Sequence, residues 1–157
     1  MTIATPPTEP APFPRKKVKV PSVLQMEETE CGAACLGMVL ASNGKYVPLE
    51  ELRTACGVSR DGSRASNMLA AARGYGMEAK GFRRPFSRLA EGDLPQILFW
   101  RFSHWVVLEG FRPDAVLIND PAEGHRVVDL EEAQRAYSGI SLQLKPGRDF
   151  TPGGTGH

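Results

Sequence analysis

Residues 25–44 read Gln25-Met26-Glu27-Glu28-Thr29-Glu30-Cys31-Gly32-Ala33-Ala34-Cys35-Leu36-Gly37-Met38-Val39-Leu40-Ala41-Ser42-Asn43-Gly44, a polar stretch that runs straight into an apolar one. From Cys31 to Ser42 the residues are good helix formers and apolar on nearly every side, which describes a helix enclosed by a core. Thr29 or Glu30 starts it. Asn43-Gly44 ends it, because both residues tolerate the left-handed backbone common at helix C-termini.

Downstream, Pro48-Leu49-Glu50-Glu51-Leu52 opens a short second helix, with proline near the first position and acids in the first turn. Residues 63–73 predict a third, capped by Ser63 and closed by Gly74. After Gly76 the pattern changes to period two or to short apolar runs, over 77–82, 96–100, 104–111, 115–119, 126–128 and 140–144, with a helix over 129–137. Helices first and hairpin-linked strands afterwards predict an α+β fold, a helical layer packed on an antiparallel sheet.

With 157 residues the chain is one domain's worth. Prolines stud residues 1–19, and Pro146, Gly147, Pro152, Gly153, Gly154 and Gly156 fill 146–157. Such stretches bury too little apolar surface to offset the entropy of ordering, so 1–19 and 146–157 read as flexible segments around a domain over 20–145. Nineteen Lys+Arg against 18 Asp+Glu leave a net charge of +1, which argues against a nucleic-acid binder. No apolar run approaches the ~20 residues needed to span a bilayer, and the first residues lack the apolar core of a secretion signal. The sole Gly-Lys pair, Gly44-Lys45, is followed by Tyr46, so the chain has no P-loop. Three cysteines, an odd and sparse number, favour a reducing compartment, the cytoplasm.

Among the cysteines, Cys56 reads as a small buried hydrophobe at a helix end. A Cys31/Cys35 metal pair would need two more ligands, and His104, His125 and His157 are not spaced to supply them, so no metal or other cofactor is expected. Cys31 differs because it sits where a polar segment meets the first turn of a helix, a place where unpaired N–H groups and the helix dipole favour thiolate over thiol. Gly32 leaves room for a substrate backbone. Gln25, six residues earlier, is placed to fold back and offer its amide, with the N–H of Cys31, to a developing oxyanion. His104 heads the stretch His104-Trp105-Val106-Val107 and is the best candidate base, whereas His125 lies in a turn-like Gly124-His125-Arg126 setting. Asp120, between Asn119 and Pro121, ends a strand; if that strand pairs with the one begun by His104, its carboxylate can orient the imidazole. Taken singly, each residue also has an ordinary structural explanation.

Taken together, Gln25-x₅-Cys31-Gly32-Ala33-Ala34, His104-Trp105-Val106-Val107 and Asn119-Asp120-Pro121 resemble the bacteriocin-processing cysteine peptidases that remove double-glycine leaders, the N-terminal peptidase domains of peptidase-containing ABC transporters. Residues 46–52 and 56–62 share in the resemblance, and Glu30 stands where many relatives carry aspartate. The resemblance implies a papain-like fold, with Cys31 as nucleophile, His104 as general base and acid, Asp120 as its orienter and Gln25 in the oxyanion hole. It implies a precursor peptide cut after Gly-Gly or Gly-Ala as substrate and the transmembrane and ATPase portions of a transporter as partners; Gly32, flanking Cys31, and Trp105, beside His104, are expected to line a narrow approach for that substrate. The location implied is the cytoplasmic face of the bacterial inner membrane. Two other readings stay open: a docking module that holds a leader without cutting it, and a general papain-like peptidase or transglutaminase-like enzyme.

Overall fold

The computed structural model describes residues 13–58 and 62–154; the first twelve residues, Ser59-Arg60-Asp61 of the resembling stretch, and His157 lie outside these. The described chain runs β1 (Lys16–Lys17), a 3-10 turn (Glu28–Glu30), α1 (Cys31–Ser42), α2 (Leu49–Ala55), α3 (Ala65–Gly74), β2 (Met77–Arg83), a second 3-10 turn (Phe86–Glu91), β3 (Gln96–Trp100), β4 (His104–Arg112), β5 (Ala115–Asp120), β6 (Gly124–Asp129), α4 (Leu130–Ala136) and β7 (Tyr137–Pro146). The strands form one antiparallel sheet in the order β2-β7-β3-β4-β5-β6, with β1 added to β4. This is the helical layer on an antiparallel sheet that the sequence predicts.

Helix α1 is buried from Cys31 to Ala41. The sheet lies on one side, with Ile97, Trp105, Val107, Leu142 and Leu144 reaching toward it, while Leu52 of α2 and Met68 of α3 close the other. The alternate residues Leu98, Trp100, Val106 and Leu108 face a second core with Leu89, Ala133 and Ala136. Period-two alternation thus feeds both faces of the sheet. Gly37 lets α2 approach α1 closely: a Cβ there would stand 2.8 Å from Cδ1 of Leu52. Gly44 at φ +86° turns the chain out of α1.

Within the described residues, 13–19 and 146–154 are packed onto the domain where flexible segments were expected. At the first, Lys16 and Lys17 pair with Phe111 and Gly110, Val18 N–H donates to Glu109 O at 2.9 Å, and Phe13 packs on Phe86 and Phe111. At the other, β7 continues to Pro146, Phe150 packs against the main core, and Gly153 exchanges backbone hydrogen bonds with Tyr46 (2.7 Å) and Gly44 (3.0 Å). One aromatic side chain at each end supplies the apolar contact that proline and glycine lack. Arg64, not Ser63, occupies the N-cap of α3.

Candidate active site

Strands β4 and β5 are antiparallel neighbours, so the first residue of one and the last of the other meet at the same end of the sheet. His104 and Asp120 are those residues. His104 donates from Nε2 to Oδ1 of Asp120 at 2.8 Å, and that same oxygen accepts from Ala122 N–H at 2.8 Å. With Nε2 engaged, Nδ1 is the ring nitrogen left for Cys31, whose side chain neighbours the imidazole from the first turn of α1. Packing of α1 on β4 brings the three residues together from positions 31, 104 and 120.

Burial works against a charged imidazole, but the hydrogen bond to Asp120, the neighbouring Cys31 side chain and the charges of both push the pKa of His104 up to about 9. Asp120 is buried too, which favours its neutral form; the His104 and Ala122 donors outweigh this and hold the carboxyl below its usual value. The pair therefore favours imidazolium beside carboxylate at neutral pH. Burial pushes Cys35 well above the ordinary thiol value and Cys56 to about 11, so these two are kept as inert thiols.

Gln25 lies in the loop that crosses in front of α1. Its N–H donates to Pro121 O at 2.8 Å, tying it to the residue after Asp120, and its Nε2 donates to Glu27 O at 3.1 Å. An amide nitrogen carries two N–H bonds, so one is left for a substrate oxygen. Its Oε1 is buried without a hydrogen-bond partner among the described residues.

Cys31 opens onto a cleft of about 510 Å³ whose walls include Ser63, Phe99, Phe102, Trp105 and Ile140. Trp105 is buried with its face against Phe99, ring centroids 4.7 Å apart, and its Nε1 donates to Ser63 O at 3.3 Å. Gly32 does not supply the expected space for a substrate. A Cβ there would meet Sδ of Met68 at 2.9 Å and Cβ of Ser63 at 3.2 Å, so this glycine serves the packing of α1 on α3. His125 stands apart from this group. It lies on β6, donates from Nδ1 to Oε1 of buried Glu109 at 2.9 Å, and has Nε2 3.2 Å from Ser22 Oγ.

Sequence reasoning missed two residues. Ser63 has its Oγ buried on the cleft wall without a hydrogen-bond partner among the described residues, and its place before α3 reads in sequence as a cap. Phe102 is 76% exposed at the β3–β4 turn, where it and Arg101 adopt φ of 56° and 53°. Consecutive left-handed residues make the tight turn a hairpin needs, usually built from Asn-Gly, and bulky residues there store strain. With no glycine or asparagine in Trp100-Arg101-Phe102-Ser103, the sequence gives no sign of the left-handed turn there.

The family model for "Peptidase C39 family" matches residues 19–149. The chain belongs to the peptidase C39 family. This C39 domain is 35% identical over 136 residues to the probable microcin-H47 secretion/processing ATP-binding protein MchF of Escherichia coli, covering 87% of the chain and 20% of MchF. It is 34% identical over 132 residues to the colicin V secretion/processing ATP-binding protein CvaB of the same species, covering 84% and 19%. It thus spans about a fifth of the length of these relatives. A crystal structure of a double glycine motif protease from an AMS/PCAT transporter, in complex with the leader peptide, matches with 52% identity and a TM-score of 0.81, over 88% of this chain and 99% of that one. The peptidase domain of Streptococcus ComA shares the fold at 22% identity, with a TM-score of 0.75 over 80% and 97% of the two chains. The C39 domain is thereby a cysteine peptidase with the papain-like α+β fold. Among the described residues no helix is long and apolar enough to cross a membrane, and no group of three or more His, Cys, Asp and Glu could hold a metal ion.

Proposed function

We propose that this domain removes double-glycine-type leaders from precursor peptides, with Cys31 as nucleophile, His104 as acid and base, Asp120 as the orienter of His104, and Gln25 with the Cys31 N–H as oxyanion donors. The observation that carries the reading is the position of His104, hydrogen-bonded to Asp120 and close enough to Cys31 for the two side chains to shift each other's charge, with Cys31 itself opening onto the cleft. In this mechanism the Cys31 thiolate attacks the carbonyl carbon of the second small residue. The oxyanion collapses to a thioester as the C–N bond breaks, and the leaving amine takes the proton from His104. His104 then accepts a proton from water, whose oxygen attacks the thioester and frees the leader carboxylate and the Cys31 thiol.

The cleft favours small residues before the scissile bond because Trp105 and Phe99, packed on each other with rings tilted by 39°, occupy its wall. The similarity to CvaB and MchF supports a place beside the transmembrane and ATPase portions of an ABC transporter, at the cytoplasmic face of the membrane. Mass spectrometry of a Gly-Gly precursor incubated with the domain tests the reading. A single cut after the pair, lost when the pair becomes Leu-Leu, is expected. Cuts scattered through the peptide, or binding with no cut, would reject it.

A further inference from the structure

The loop that carries Gln25 is folded around one carboxylate. Glu30 is 1% exposed. Its Oε1 accepts from the backbone N–H of Met26 at 2.8 Å and of Glu27 at 2.9 Å, and its Oε2 accepts from Nε of Arg53 on α2 at 2.5 Å. Burial alone would raise the Glu30 pKa; the two backbone donors and Arg53 overcome that and hold it below its ordinary value. Enclosing a charge this way is costly unless its oxygens are satisfied; the bond from Glu27 N–H is the capping box of the 3-10 turn, but the bonds from Met26 N–H and Arg53 go beyond what a helix start needs. Glu30 also makes no side-chain cap bond to α1. What its carboxylate holds is the chain before the helix.

That chain is the support of the oxyanion donor. Met26 and Glu27 follow Gln25 directly, and the Gln25 amide leans on the carbonyl of Glu27, whose own N–H is held by Glu30. Glu30 is also joined covalently to Cys31. A single buried carboxylate therefore sets the relative position of both proposed oxyanion donors, the Gln25 side chain and the Cys31 N–H. We propose that Glu30, locked in place by Arg53, is a positioning residue that aims Gln25 at the oxyanion. The proposal rests on the role given to Gln25 above.

The test is a double-mutant cycle on cleavage of a Gly-Gly precursor. Glu30→Gln keeps the shape and an acceptor for the Met26 and Glu27 amides but loses the charge that Arg53 needs. It is expected to lower kcat about tenfold with KM within about twofold, since only transition-state contacts are misplaced. Gln25→Ala alone is expected to lose about 10²–10³ in kcat. In that background Glu30→Gln should cost less than about twofold more, because the group it aims is gone. Should Glu30→Gln fail to fold, Arg53→Met at the half-exposed partner runs the same cycle, with Arg53→Lys recovering part of the rate. Equal losses in both backgrounds would show that Glu30 only holds the fold and would overturn the proposal. A Gln25→Ala variant with unchanged kcat would instead overturn the role of Gln25, and this proposal with it.

Discussion

His104 donates from Nε2 to Oδ1 of Asp120 across 2.8 Å, a bond between the first residue of β4 and the last of β5. Two strand ends set the ring against the carboxylate, and the Ala122 N–H of the β5–β6 turn fixes that carboxylate in turn. The same bond makes the site sensitive to pH. The His104 pKa of about 9 exceeds its usual 6.5, so His104 adds stability that is complete below 6.5 and is lost as pH rises through about 9.

Activity that needs the imidazolium as acid is expected to fall on the alkaline side near pH 9. Asp120→Asn removes a charge that supports the imidazolium, so that limb should move to lower pH, with a smaller loss of kcat than His104→Ala. Profiles of kcat/KM against pH for the native chain and Asp120→Asn check this; an unmoved limb would separate Asp120 from the titration of His104.

Ser63 offers the cleft a hydroxyl with no partner of its own among the described residues. If it serves the substrate backbone, Ser63→Ala should weaken kcat/KM by about 1 kcal/mol, or roughly fivefold, the worth of one neutral hydrogen bond. The melting temperature should hold or rise, since a buried unpaired group is removed. Steady-state kinetics beside thermal melting distinguishes this from a packing role, in which both would fall.

At the far side of β5, His125→Ala is expected to destabilise the domain without inactivating it. Glu109 is 2% exposed and its carboxylate is paired with His125, so the substitution leaves a buried charge without that partner at a cost of about 1–3 kcal/mol. Urea unfolding should show the shift, and kcat should stay within about twofold at temperatures where the variant is folded. Loss of activity in a fully folded His125→Ala protein would contradict the separation of this pair from the site.

The Arg101-Phe102 turn sets stability against function. The double substitution Arg101→Asn with Phe102→Gly should relieve a left-handed strain of order 1 kcal/mol per residue and leave the hairpin as stable or more so. Removing the Phe102 ring from the cleft wall should raise KM for the precursor. A lower melting temperature with unchanged KM would show that Phe102 serves only its edge contact with Phe99.

Much of this architecture can be read from local pattern. The limits of α1 follow from the apolar run that begins at Cys31 and stops at Asn43-Gly44, and β3 over Gln96–Trp100 follows from its four apolar neighbours between breakers. Asp129, expected as the first residue of a helix over 129–137, accepts from Glu132 N–H and caps α4, which begins one residue later. Cys31, His104 and Asp120 stand out in the sequence because each sits at the boundary of an element, and the structure brings them together; Gln25, inside a loop, stands out only by its spacing from Cys31. What local pattern does not show is contact at long range. Nothing near Phe13 announces Phe111, nor does anything near Phe150 announce Gly76, and without those contacts both ends look too poor in apolar residues to fold. The room beside Gly32 is filled by Met68 from a different helix, and the partner of Glu30 lies 23 residues away on α2.

The central claim, that Cys31 is a nucleophile served by His104, is tested most directly by iodoacetamide near neutral pH, with adducts mapped by peptide mass spectrometry and cleavage followed in the same samples. Cys31 is expected to label first, with activity lost in proportion, while the buried Cys35 and Cys56 stay unmodified; His104→Ala should slow labelling. Full cleavage activity in a chain modified at Cys31, or equal labelling of all three thiols in the folded protein, would contradict it.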